Sequence, residues 1–276
     1  PTFGPMDRRY VQADPRGNFE FRGVTPGSYI LTVDSFDGSE RQSARLPVDV
    51  GKSFIQGLVL TLAPGGELKG TVRLEEGSTE TLGNLRVFLR SRDNPYYGMG
   101  GGGPLKEDRS FVLRNLGPDL YNVNVFGLPR GHYLRAAIYG QEDVLTRGLD
   151  LTQGAAGTLE IVISPHGAKV EGTVRNQSKQ PAAGLAVVIA PQEAQPGRTD
   201  LYRVISTDQT GHFLFEGLPP GKYHLFAFED LEEGAGQDPT YLKDFESKAE
   251  KIDLAERAAL SKDLVAIPAD DRTEAR

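Results

Sequence analysis

Hydrophobic and polar positions alternate with period two along most of the chain, in short runs separated by breaks rich in glycine and proline. Residues 207–227 show the pattern most clearly. Phe213 and Phe215 alternate with His212, Leu214 and Glu216, the period of a half-buried strand. Leu218-Pro219-Pro220-Gly221 interrupts the run, and Tyr223, Leu225 and Ala227 resume it on a second strand. The same unit opens the chain at residues 14–31, and a weaker copy lies at 108–123. Its corner tyrosines, Tyr29, Tyr121 and Tyr223, are 92 and 102 residues apart, the length of a small domain and too long for a solenoid repeat.

A second landmark keeps the same phase. Residues 58–62 run through Pro64-Gly65-Gly66 into Gly70-Thr71-Val72, and residues 159–163 run through Pro165-His166-Gly167 into Gly172-Thr173-Val174. Each reads as the last strand of one domain, a short break, and the first strand of the next. Gly27 and Gly221 are expected at positive φ in their corners, with Asp119 standing there in the middle copy, because these residue types tolerate left-handed backbone. Linkers this short, each stiffened by a proline, predict a rod of domains.

The Asp-x-x-Gly-x-Phe-x-Phe-x-Gly-Leu-Pro-Pro-Gly-x-Tyr-x-Leu pattern at 207–227 and 14–31 resembles the carboxypeptidase regulatory-like domain. That family is a relative of transthyretin and of the B-type repeats of collagen adhesins. The resemblance implies tandem seven-stranded antiparallel β-sandwiches, transthyretin-like and Ig-like, and an exported location in bacteria. It implies no reaction.

The expected domains are 1–63, a partial sandwich holding only its C-terminal strands, then 64–165, 166–268 and a charged tail at 269–276. In the first domain, strands are expected near 9–12, 19–21, 29–33, 45–50 and 57–62, with no room for the first two of the fold. Two readings fit that gap. The favoured one is a product of a longer protein. The other has a neighbouring chain supply the strands, since an open sheet edge is a template for strand addition. In the third domain, Asp238 before Pro239 caps a short helix near 239–246, with Tyr241, Leu242 and Phe245 on one face.

Composition narrows the function. A net charge of −7 disfavours nucleic acid and anionic membrane surfaces as partners. There is no cysteine to form a disulfide, and no apolar run of membrane-spanning length, so no membrane insertion is expected within this chain. The four histidines, His132, His166, His212 and His224, show no metal-ligand spacing, and the His-x-x-Glu element of zinc carboxypeptidases is missing. The acidic groups around Asp34 and at 229–233 lack the spacing of a calcium loop. The glycine-rich stretch 98–103 is followed by Pro104-Leu105-Lys106, not by the Gly-Lys-Ser/Thr of a phosphate loop. Lys69 and Lys169 lie on first strands, yet the closing strands hold no asparagine for an isopeptide crosslink of the adhesin type. Asn176-Gln177-Ser178 matches a glycosylation acceptor, a motif too common to weigh. No catalytic residue, cofactor or metal site is expected, and the chain reads as non-enzymatic.

Two contact surfaces remain. Tyr96 and Tyr97 stand at a loop tip, where tyrosine is an amphipathic contact residue. If Glu216 paired with Lys222, one outer face would carry Leu214, Phe226 and Phe228 together with His212 and His224. The first domain has Glu20, Thr32 and Asp34 at the matching places. An apolar outer face needs a cover: the helix around Phe245, which is favoured, or another domain or chain. The leading expectation is a structural or interaction protein of the bacterial cell surface, acting as spacer, adhesin stalk or filament subunit through protein–protein contacts. The alternatives are a polysaccharide- or peptide-binding module, lowered by the absence of tryptophan, and an accessory region of a larger secreted enzyme.

Overall fold

The chain is described from a computed structural model, which covers residues 9–37, 40–75, 81–92, 102 and 104–269. Two compact units divide it, Pro1–Pro64 and Gly65–Arg276. The loop tip with Tyr96 and Tyr97, and tail residues 270–276, lie outside the described residues.

The second unit is all-β, built of two sandwiches with separate cores. In the first of these, β4 (Gly66–Leu74), β6 (Ser110–Leu116), β8 (Tyr133–Tyr139), β9 (Glu142–Asp143) and β11 (Thr158–Ser164) form one sheet in the order β6-β4-β11-β8-β9. The facing sheet is β10 (Leu149–Asp150), β7 (Leu120–Phe126) and β5 (Arg86–Ser91), and one helical turn, α1 (Val144–Arg147), follows β9. Alternation sends Val87, Leu89, Phe111, Leu113, Tyr121 and Val123 into the core between them, while their neighbours face outward.

The other sandwich repeats this plan. One sheet holds β12 (Ala168–Arg175) between β15 (His212–Leu218) and β18 (Ala259–Ser261), with β19 (Leu264–Val265) continuing alongside β12. The other runs β14 (Arg203–Ser206), β13 (Ala186–Pro191), β16 (Gly221–Phe228), β17 (Glu250–Leu254). Helix α2 (Pro239–Asp244) begins as expected, with Asp238 accepting from the Thr240 amide and Pro239 in the first turn.

The ladders are not wholly antiparallel. β4 pairs with β11 in parallel, and β12 pairs with β18 and β19 in parallel. The chain crosses between sheets several times before it returns to its first strand, so the last strand arrives in the same direction.

That first strand explains the repeated glycine of Gly-Thr-Val. A Cβ on Gly70 would fall 2.1 Å from Phe111 Cζ and 2.6 Å from the Leu159 carbonyl oxygen. A Cβ on Gly172 would fall 1.8 Å from the Lys262 carbonyl oxygen and 3.1 Å from Phe213 Cε1. Both glycines let a phenylalanine from one neighbouring strand and a backbone from the other close over the same spot.

In the first unit, β1 (Gly27–Asp37), β2 (Glu40–Val50) and β3 (Ala63–Pro64) form one sheet in that order. Pairing of Tyr29 with Val48, Leu31 with Leu46 and Val33 with Ala44 gathers the apolar side chains on one face. Nothing seals that face: among the described residues no hydrophobic side chain of this unit is buried, and Phe54 is 99% exposed. Segments 9–12, 19–21 and 57–62, expected as strands, are not strands. For the last two the reason is physical. Their counterparts β15 and β11 hydrogen-bond to the first strand of their sandwich, and a strand whose amides and carbonyls lack a partner has nothing to fix it extended.

Candidate interaction surfaces

The tyrosine corners are built alike in all three copies. The hydroxyls of Tyr29, Tyr121 and Tyr223 each donate to the carbonyl oxygen four residues earlier, on Thr25, Gly117 and Pro219, at 2.9 Å. Burial pushes the Tyr223 phenol up to about 12, so it stays protonated and remains a donor. Of the corner residues expected at positive φ, Gly221 has it, at φ +156° with its would-be Cβ 3.4 Å from the Tyr223 ring, while Gly27 and Asp119 do not. In all three copies the residue six before the tyrosine is also left-handed: Gly23 (φ 64°), Asn115 (φ 59°) and Gly217 (φ 64°). There the chain passes from one sheet to the other, which demands a reversal that glycine and asparagine adopt most readily.

The preceding turn is also shared. The Asp208 carboxylate accepts from the amides of Thr210 and His212, and Gly211 has φ 77°. Asp14 does the same for Arg16 and Asn18. In the middle copy Lys106 fills the aspartate position, as its amide bond to Ser110 shows, and Asp108 takes over the capping of the Ser110 amide. Hydrogen bonds, that from the Thr210 side chain first, hold the Asp208 carboxyl below its ordinary range.

Because the corner carries the chain between sheets, β15 and β16 do not form a hairpin. Glu216 does not pair with Lys222, whose partner is Asp253. The expected shared face is therefore not formed. Leu214, half-buried, lies on β15 opposite Glu171, and His212 lies on the same sheet opposite Thr173. Phe226 and Phe228 lie on the other sheet and are each 1% exposed. Helix α2 and the turn after it cover them: Phe245 meets Phe228 edge-on at 5.3 Å, and Tyr241 lies 6.3 Å from Phe228. Both phenylalanines belong to a second buried layer and offer nothing to a partner.

His224 shares that layer. Its ring sits edge-on to Phe226, its Nε2 has no hydrogen-bond partner, and Glu246 Oε1 lies 3.7 Å away. Burial pushes its pKa down; Glu246 opposes this and Lys251 adds to it. In the unfolded chain the imidazole takes up a proton below about 6.5, and the folded protein resists that. Stability is therefore expected to fall as pH drops through about 6.5 toward the lowered folded value. Urea midpoints followed from about pH 7 to about pH 5 should decline less in His224→Gln than in the parent, since the variant has no imidazole to protonate. Parallel slopes would refute this.

The opposite situation holds on the sandwich before it. Phe88 and Phe126 stack face to face at 4.7 Å, and Phe126 is 62% exposed. Register places Arg86, Phe88, Arg90, Asn122 and Asn124 on the same outer face. The periodicity of β5 and β7 holds the signal for this surface, at the positions that alternate with the core residues Val87, Leu89 and Val123.

The two sandwiches of the second unit touch. Arg130 pairs with Glu216, and Arg135 pairs with both Glu256 and Glu75. Tyr133 donates to Glu256, and the Gly167 amide donates to the Gly131 carbonyl at 3.1 Å. Among the described residues no group of three or more His, Cys, Asp or Glu could hold a metal ion, and no helix is long and apolar enough to cross a membrane.

Residues 169–250, spanning β12 to the start of β17, match the family model of the carboxypeptidase regulatory-like domain. This segment is a carboxypeptidase regulatory-like domain. No curated protein sequence matches the chain. Among solved structures it is similar to the Bacillus anthracis TIE protein, at 13% identity and a TM-score of 0.25, covering 88% of this chain and 44% of that one. It is also similar to a streptococcal ancillary pilin, at 12% identity and a TM-score of 0.27, covering 87% of this chain and 76% of that one. A third is the shaft pilin SpaA from Lactobacillus rhamnosus GG, at 10% identity and a TM-score of 0.27, covering 74% of this chain and 98% of that one. The chain thus spans less than half the length of the first of these, and likeness at these scores carries no argument about its role.

Proposed function

We propose that this chain is a non-enzymatic structural protein of the bacterial cell surface, a series of carboxypeptidase regulatory-like sandwiches divided near residues 64 and 166 that acts as spacer, stalk or filament subunit. The observation that carries this reading is the contact between the two sandwiches of the second unit. It is made of ion pairs and a glycine-lined backbone approach, and it holds neighbouring domains in one arrangement, as a load-bearing element requires. Sedimentation of the purified chain over a wide concentration range, with electron microscopy of the same samples, tests the filament form. Concentration-dependent assembly is the expected result; a strictly monomeric species at every concentration would remove it and leave the spacer.

A second reading, a polysaccharide- or peptide-binding module, is favoured by one specific observation. The exposed Phe126 ring, stacked on Phe88 and flanked by Arg86 and Arg90, offers an aromatic and cationic contact on an acidic chain.

A further inference from the structure

We propose that the outer face of β5 and β7 binds a glycan carrying carboxylate groups, with Phe126 as its stacking platform and Arg86 and Arg90 as its charge partners. It rests on the binding-module reading above and names the ligand class.

The face has a closed part and an open part. In the closed part, Arg92 Nε donates to Asn122 Oδ1 at 3.0 Å, and its other nitrogens donate to the carbonyls of Arg147 and Thr146. The next sandwich arrives at the same place. Thr199 Oγ1 donates to Asn124 Oδ1 at 3.3 Å, and a Cβ on Gly197 would stand 2.5 Å from Asn122 Oδ1. The Asn124 amide donates in turn to the Asn122 carbonyl. These groups are committed to the fold and to the junction.

The open part holds cations without a counterpart. Register sets Arg90 opposite Asn122, whose side-chain oxygen already accepts from Arg92. Arg90 Nε is buried and has no hydrogen-bond partner. A desolvated donor without an acceptor is costly and exceptional. No carboxylate among the described residues pairs with Arg86 or Arg90, and the outward positions of the two strands carry no acidic residue. The two arginines stand about 13 Å apart along the extended strand, with half-buried Phe88 between them.

The rings supply the second half of the recognition. Phe88 covers one face of the Phe126 ring with its plane tilted by 4°, and Phe126 remains 62% exposed, so its other face is open. The stack fixes that ring before a ligand arrives, which lowers the ordering cost of binding. A sugar ring has an apolar C–H face that packs on a flat aromatic surface and a polar rim around it. A carboxylate on that rim matches the planar guanidinium fork. An acidic peptide fits less well, because an extended peptide binds through the main chain at a free strand edge. β5 is the edge strand of its sheet, and Gly102 already packs against that edge, its would-be Cβ 2.0 Å from the Val87 carbonyl oxygen. Salt screens exposed charges beyond about 10 Å, so the two arginines set the local field rather than the net charge of −7.

The probes are an oligogalacturonate, a hyaluronan oligosaccharide, a neutral cello-oligosaccharide, an oligoglutamate and a short oligothymidylate, each titrated calorimetrically into the full chain. At least one acidic glycan is expected to bind, and its affinity to fall about tenfold or more in Phe126→Ala and in Arg90→Gln. Phe54→Ala, in the first unit, should leave it unchanged. Arg86→Gln, at an exposed position, should also weaken it, so a folding defect in Arg90→Gln would not decide the outcome. A neutral oligosaccharide bound as tightly as the acidic ones overturns the carboxylate requirement and keeps the binding module. Preference for oligoglutamate or oligothymidylate overturns the glycan. Affinity unchanged in Phe126→Ala and both arginine variants overturns the site. Failure of every probe overturns the site and the binding-module reading together.

Discussion

Gly172→Ala is expected to lower the stability of the 166–268 sandwich by about 3 kcal/mol or more, which places it among the severe single substitutions. The new methyl would lie 1.8 Å from the Lys262 carbonyl oxygen. That oxygen is backbone, and it cannot swing away like the end of a flexible side chain. Its strand is held in place, since the Lys262 amide donates to the Glu171 carbonyl at 2.9 Å and β18 and β19 flank the spot in parallel register with β12. Relief would require prising the last strand from the first, and the β12 residues Val170 and Val174 are fully buried in the core behind them. Urea unfolding followed through tyrosine fluorescence, with hydrogen exchange to assign the transition to 166–268, measures the effect. An unchanged midpoint would refute the close-approach account of both Gly-Thr-Val strands.

Gly217→Ala is expected to cost about 2–4 kcal/mol, the sum of left-handed strain and a steric collision. Gly217 has φ 64°, and a Cβ there would stand 2.4 Å from the His132 carbonyl oxygen of the neighbouring sandwich. Its own carbonyl accepts from the half-buried Arg203 guanidinium, and Glu216 beside it pairs with Arg130. The substitution therefore strains the corner and wedges the two sandwiches apart. Gly184→Ala separates the two causes. Gly184 has φ 74° with nothing within 4 Å of its would-be Cβ, so it should lose only the strain, about 1–2 kcal/mol. Equal losses in the two variants would mean that the junction contributes nothing.

The corner shows how far sequence could be read. Alternation around Phe213, Phe215, Tyr223 and Leu225 placed two strands correctly, and the spacing of the three tyrosines located equivalent corners, each closed by the same hydroxyl-to-carbonyl bond. The same alternation could not tell a hairpin from an arch between sheets, because period two states only that a residue points to one side of its own strand. Assuming a hairpin put Leu214 and Phe228 on one face, whereas β15 pairs with β12 and β16 with β13 and β17. It also missed the left-handed residue that all three copies share, four positions before Gly27, Asp119 and Gly221, because the chain reverses where it leaves the first sheet.

The fate of Phe226 and Phe228 followed from a local signal, the Asp238-Pro239 helix start with Tyr241 and Phe245 at helical spacing. The Phe88–Phe126 surface had no such cue, because residues 197–199 of the next sandwich reach this face at Asn122 and Asn124 and leave Phe126 exposed, a contact between residues far apart in the chain. What the sequence by itself determined was local and periodic: strands, turns, capping aspartates, the domain-length repeat and the family of residues 169–250. Tertiary structure alone decided which strands share a sheet, which glycines face a neighbouring backbone, and which apolar faces are covered. Those outcomes depend on contacts between residues far apart in the chain, and a side chain's alternation records its own strand's geometry but not the identity of what lies across from it.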